Sequence, residues 1–262
     1  MILRGNFNSE VLHMSTHIQV MFPDKGEAPL RIVYLLHGLH GDSSTWLDYT
    51  PLPYYAKKFN AIFVMPEVCR SFYTDQRYGR KYFTYVSEEL PHICRRFFNF
   101  SARREDTAVM GCSMGGFGSL YLALNKPEQY GFCGPISPAC LCVKGWLDQM
   151  KIDPAPLLKN GPEAYEMVID IKSLYGEELE YDKKYDIYEL VKSFPADAPR
   201  PVIFNTCGLE DDLRKESLKL KDIIADRGFN YTYEEWTGGH EWNFFYEALQ
   251  KTLEFWYKGY EA

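Results

Sequence analysis

The apolar positions of this chain change period along its length. Over residues 1–22 they alternate, with Val11, Met14, His17, Ile18 and Val20 marking one or two antiparallel strands at the edge of a sheet. Pro23-Asp24-Lys25-Gly26 ends them in a turn. From there compact apolar runs, read as strands, alternate with longer helical stretches. Arg31 to Leu36 precedes a helix from Trp46 to Phe59, Ala61 to Met65 precedes Tyr82 to Phe98, and Thr107 to Met110 precedes Met114 to Asn125. The rhythm resumes with strands at Phe132 to Ser137 and Pro201 to Cys207, a helix from Lys215 to Arg227, a strand from Tyr231 to Trp236 and a helix from Trp242 to Tyr257. Such alternation predicts an α/β fold: a mostly parallel central sheet with helices on both faces.

One interval breaks the rhythm. Residues 138–199 span about 60 positions rich in Lys, Asp, Glu, Tyr and Pro, where one crossover helix needs only a dozen or so. We read it as an inserted cap on a single domain covering residues 1–262, with helical pieces at Gly161 to Ser173 and Tyr185 to Phe194. Lying between two core strands, it belongs at the carboxyl edge of the sheet, where ligands bind. The alternative is a surface insertion with no substrate role.

Composition narrows the class. The chain has 262 residues and a net charge of -7, so no basic stripe offers itself to a nucleic acid or an anionic membrane. No stretch approaches the length of a membrane span, and the N-terminus lacks a continuous apolar leader, which places the protein in the cytoplasm. The seven cysteines are scattered, several inside apolar runs, as buried reduced thiols are. Cys140-Leu-Cys142 has no matching second pair or nearby His cluster, so no metal site is expected. Aromatic residues make up 16% of the chain; most belong to the core, and the surplus suits a ligand cleft.

The candidate chemistry centres on Gly111-Cys112-Ser113-Met114-Gly115, a G-x-S-x-G run between a predicted strand and a predicted helix. The pattern arises by chance in roughly one chain in ten of this length, so its context matters. Strand, sharp turn and helix would raise the oxygen of Ser113 above the sheet. A serine hydroxyl is a weak nucleophile at neutral pH. It needs a base, an acid that orients the base, and donors for the oxyanion. His240, in the Gly-rich loop Thr237 to Trp242, is the candidate base; His13, His17, His37, His40 and His92 lack its placement between the last strand and the last helix. The orienting acid should follow a strand between the serine and the histidine. Glu210, Asp211 and Asp212 all do, with Asp211 preferred. For the oxyanion, the backbone N–H of Met114, at a helix start, pairs with that of Leu39, ranked ahead of His40, in the loop His37-Gly38-Leu39-His40-Gly41. A histidine base predicts that activity falls below about pH 6.5.

These residues resemble the esterase D group of the α/β hydrolases, which includes tributyrin esterases, cinnamoyl or feruloyl esterases and S-formylglutathione hydrolases. The resemblance covers most of the chain. It rests on the Leu35 to Gly41 and Gly111 to Gly118 runs, Arg70 to Asp75, Glu88 to Pro91, Cys207 to Asp211 and Gly238 to Trp242. It implies an α/β-hydrolase fold with a cap and a serine carboxylesterase acting on small-molecule esters with short acyl or cinnamoyl and feruloyl groups. In that group the Asp of the Gly-x-x-Asp turn completes the triad, which maps onto Asp211. The S-formylglutathione hydrolases carry a Cys after the early Gly-Leu-Thr, absent from Gly38-Leu39-His40-Gly41 here, so glutathione thioesters are disfavoured. The resemblance also implies that Ser71 to Tyr73 and Trp46 lie near the cleft, with Trp46, Ser71, Tyr73 and Trp242 as the substrate contacts, and that neither a metal nor an organic cofactor is required. Trp146, Tyr165, Tyr175 and Tyr188 would supply an aromatic cap. Acyl transfer to a sugar or other alcohol, and a catalytically silent binding module, are the alternatives. A homo-oligomer is compatible with the chain.

Overall fold

Short β-branched and aromatic runs become strands here because both of their faces are covered. In β3 (Arg31–Leu36), Ile32, Tyr34 and Leu36 join Ile62, Val64 and Val109 in one buried cluster, while Val33 and Leu35 join Phe63, Met65 and Met110 in another. Two-residue periodicity thus splits each central strand between two cores, which explains the continuous apolar runs in the sequence. The computed structural model describes residues 1–101, 103–152 and 162–259, with the side chains of 152 and 162–165 left aside.

The chain opens with a hairpin, β1 (Ile2–Ser9) and β2 (Met14–Met21), and continues through β3 into α1 (Thr45–Tyr49), α2 (Leu52–Lys58) and β4 (Ala61–Pro66). A helix, α3, follows over 82–97, with a π-helical turn at Tyr85–Glu89. Then come β5 (Thr107–Cys112), α4 (Met114–Asn125), β6 (Phe132–Ile136), α5 (Val143–Ile152), α6 (Pro162–Tyr175) and α7 (Ile187–Lys192). The last elements are β7 (Val202–Gly208), α8 (Arg214–Ile224), β8 (Tyr231–Trp236) and α9 (Trp242–Lys258). The sheet order is β1-β2-β4-β3-β5-β6-β7-β8, parallel except for β1 and β2. The order reverses at β3 and β5, so the loops leaving their carboxyl ends diverge and open a crevice. Both the Gly38 loop and Ser113 lie at that point.

Helices cover both faces. Leu249, Leu253 and Trp256 of α9 and Leu52 and Tyr55 of α2 fill one core. The other takes Leu120 of α4 together with Leu147 of α5, Ile171 of α6 and Val191 of α7, so the insertion between β6 and β7 shares the main core. Two local expectations change. The helix read from Trp46 to Phe59 breaks into α1 and α2, because Thr50, held extended at φ -135° and ψ 155° ahead of Pro51, cannot continue a helix. Helix α5 appears where none was expected. Tyr165, counted among the cap aromatics, has a side chain outside the described residues. No described helix is long and apolar enough to cross a membrane.

Candidate active site

The turn between β5 and α4 is dictated by backbone crowding. A Cβ on Gly115 would sit 2.4 Å from the carbonyl oxygen of Leu36, and one on Gly111 would meet the Gly115 carbonyl at 2.6 Å. Only glycine fits at either place, since real Cβ contacts are not that short. Between them Ser113 adopts φ 57° and ψ -118°, a left-handed conformation that costs a non-glycine residue about 1–3 kcal/mol. The neighbours over-determine it: Ser113 N–H donates to the Ile136 carbonyl at 2.9 Å, and its own carbonyl accepts from Phe117 and Ala139. The result is a serine side chain raised above the sheet.

His240 reaches that side chain from the loop after β8. Its Nε2 accepts from Ser113 Oγ at 2.9 Å, and its Nδ1–H donates to Asp211 Oδ2 at 2.9 Å. The structure also separates the three adjacent carboxylates. Asp211 is buried, and its Oδ1 accepts from Leu213 N–H at 2.8 Å, which aims the second oxygen at the imidazole. Glu210 instead accepts from Gly238 N–H at 2.6 Å, clipping the histidine loop to the end of β7, and Asp212 faces solvent. Burial opposes ionisation of Asp211, but the hydrogen bonds from His240 and Leu213 outweigh it and hold the carboxyl below its ordinary range. It is an anion at neutral pH, hydrogen-bonded to the imidazole.

The Gly38 loop packs on the elbow: a Cβ at Gly38 would lie 3.6 Å from that of Ser113. Leu39 and Met114 both line the cavity above the serine, and Met114 is the first residue of α4, so its N–H has no partner in the preceding turn. His40 is exposed on the same loop. His37 is buried and structural. Val68 N–H donates to its Nε2 at 3.3 Å, which leaves Nδ1 as the donor to the Gly38 carbonyl at 2.8 Å. Burial holds its pKa below the usual histidine value, against the pull of the Glu67 carboxylate 3.7 Å away. The unfolded chain takes up this proton below about pH 6.5 while the folded chain refuses it, so stability present above that pH is lost as the pH falls. The melting temperature should therefore decline from about pH 7 to about pH 5, and differential scanning fluorimetry should find a shallower decline in His37→Asn; equal slopes would count against it.

A cavity of about 540 Å³ opens over Ser113. His240, Glu241, Trp242 and Phe245 line one part, and Phe72, Trp146, Met167 and Cys140 another. Of the expected substrate contacts, Trp242 is in the lining and three are not. Trp46 is fully buried, donates from its indole to the Leu36 carbonyl at 2.9 Å, and meets Trp242 edge-on at 5.2 Å, so it supports the lining from beneath. Ser71 is buried with its Oγ accepting from Tyr73 N–H, and Tyr73 turns inward to donate from its hydroxyl to the His37 carbonyl at 3.0 Å. The residue between them, Phe72, is the one that faces the cavity. Among the cap aromatics Trp146 lines it; Tyr175 and Tyr188 are buried elsewhere. A separate cavity of about 670 Å³, beside Tyr175 and Tyr185, contains none of the three hydrogen-bonded residues.

Comparison with known proteins gives four likenesses. The model of a family described as "Putative esterase" matches residues 9–256. An acetyl esterase of Caldicellulosiruptor saccharolyticus is 28% identical over 97% of each chain. FphF, a fluorophosphonate-binding serine hydrolase of Staphylococcus aureus, superposes with a TM-score of 0.84 at 24% identity over 98% of each chain, and the S-formylglutathione hydrolase FrmB of the same organism with 0.81 at 25% identity, again over 98% of each. The chain has the α/β-hydrolase fold of these structures.

Proposed function

Since the chain belongs to this esterase family, we propose that it is a serine carboxylesterase in which Ser113, His240 and Asp211 form the catalytic triad. One observation carries the reading: a continuous relay of two 2.9 Å hydrogen bonds from a buried carboxylate through an imidazole to a serine held in a strained turn. His240 takes the Ser113 proton as Oγ attacks the ester carbonyl, and the Leu39 and Met114 N–H groups receive the oxyanion, aided by the positive end of α4. As the tetrahedral species collapses, His240 returns the proton to the departing alcohol. Water then repeats the sequence on the acyl-enzyme and releases the acid. Nucleophile, base and oxyanion donors all come from the chain, so this chemistry needs no cofactor. The side chain of His240 is 37% exposed, which gives water access to the acyl-enzyme and favours hydrolysis over transfer to another alcohol.

Small carboxylic esters are the proposed substrates, with short-chain or cinnamoyl and feruloyl acyl groups. The acetyl esterase relative supports the short-chain side. A fluorophosphonate probe is expected to label the purified protein on the peptide bearing Ser113, and a p-nitrophenyl ester series run beside methyl ferulate should give turnover. Labelling at another residue, or no turnover of any ester, would remove the proposal. A maximum at acetate or butyrate without ferulate turnover would make it a short-chain esterase.

A further inference from the structure

The cavity holds two aromatic groups, and proton delivery tells them apart. His240 meets Phe245 edge-on at 5.0 Å, Phe245 meets Trp242 at 5.7 Å, and Trp242 stacks on Tyr49 at 4.6 Å and 12°. In the mechanism above, His240 hands a proton to the departing oxygen, so this group lies on the alcohol side. The second group is Phe72 and Trp146, 6.3 Å apart at 70°, with Phe117 of α4 behind Phe72 at 5.9 Å. Among the described residues these rings make no ring contact with the first group. An ester spans Ser113 with its alcohol toward His240, which leaves the second group for the acyl portion.

Phe72 is held there at a conformational cost. Cys69, Phe72 and Tyr73 have φ values of 50°, 50° and 55°, three left-handed non-glycine residues within five positions. Such a run persists only when its surroundings over-determine it. Here the Tyr73 N–H donates to Ser71 Oγ, Thr74 donates twice to the Ser71 carbonyl, and the Tyr73 hydroxyl anchors on His37. At the near end Arg70 Nε donates to Asp170 of α6 at 2.7 Å. The Phe72 side chain is consequently fixed, 4% exposed, with its ring against Phe117 and Trp146.

We propose that Phe72 determines acyl-group selectivity, its fixed ring and that of Trp146 forming the wall on which the acyl chain ends. The inference rests on the esterase reading and adds to it the residue that limits acyl length. The test keeps the leaving group constant and varies the acyl chain, using p-nitrophenyl esters from acetate to octanoate on wild type, Phe72→Gly and Trp146→Ala. Glycine accepts a φ of 50° freely, so Phe72→Gly removes the ring while preserving the loop. The octanoate-to-acetate ratio of kcat/KM should rise about ten-fold or more in Phe72→Gly and shift the same way in Trp146→Ala, since a few methylenes in an apolar pocket carry that much discrimination. A parallel series of acetates of different alcohols should keep its wild-type ratios within about three-fold, because hydrophobic pocket discrimination is confined to the group that occupies the pocket. Active variants with an unchanged acyl ratio, or a shift in the alcohol series instead, overturn this inference alone. A wild type that hydrolyses no ester overturns the esterase reading, and the inference with it.

Discussion

Ser113→Ala is expected to lower kcat for p-nitrophenyl acetate by about 10⁴- to 10⁶-fold while leaving the protein folded, the scale on which removing a triad nucleophile acts. No neighbouring group can take over. Cys112 is adjacent, but burial pushes its thiol up to about 12, so the thiolate is absent at neutral pH. Cys140 lines the cavity and is raised by burial in the same way. What survives is the activity supplied by the oxyanion donors and by binding, which remain in the variant. The fold should tolerate the change, because alanine meets the same left-handed backbone as serine and only one hydroxyl, hydrogen-bonded to a partly exposed imidazole, is lost. Steady-state kinetics beside a thermal melt checks both halves. Residual activity above about a tenth of wild type would show that another residue attacks the ester, since loss of a triad nucleophile is far larger than that.

The parts of this site that sequence exposes are those imposed by backbone sterics. Gly111 and Gly115 flank Ser113 because the Leu36 and Gly115 carbonyls occupy the space a Cβ would need, and that crowding leaves a fixed spacing in the chain. The sheet was equally legible, as strands buried on both faces need uninterrupted apolar runs. Irregular segments were not. From Cys69 to Asp75 three left-handed residues destroy any period, so nothing in the order Ser71-Phe72-Tyr73 says that the middle side chain faces the cavity while the outer two turn inward. Trp46 misleads for a related reason: its indole finds a partner in Leu36, which lets so large an aromatic be fully buried under the residue that does line the cavity. Helix α5 left a signal, Val143, Leu147 and Met150 at i, i+4 and i+7, but one of only about two turns set in the polar insertion. Arg70 to Asp170, by contrast, is a contact between residues 100 apart in sequence.

Asp211→Asn should cost about 10³- to 10⁴-fold in kcat at neutral pH, and the reason lies in the hydrogen bond from Leu213. That N–H holds one carboxylate oxygen at 2.8 Å, so an asparagine keeps its carbonyl there and presents its NH₂ to His240 Nδ1. Facing a donor, Nδ1 must become the acceptor, and the imidazole proton moves to Nε2. An Nε2–H cannot accept the proton of Ser113, so the variant retains the shape of the triad with the tautomer reversed. Asp212→Asn, at an exposed position, should change kcat less than about two-fold, as surface substitutions do, which separates the role of position 211 from a loss of charge in the turn. Stability supplies an independent readout. The Asp211 carboxyl lies below its ordinary range, so its ionised form contributes stability that is complete above the unfolded value of about 3.9 and is lost as the pH falls through the lower folded value. The gap in melting temperature between wild type and Asp211→Asn should thus be steady from about pH 7 to about pH 5 and narrow below about pH 4. A gap independent of pH, or an asparagine variant with near wild-type turnover, would show that Asp211 is not the acid that orients the histidine.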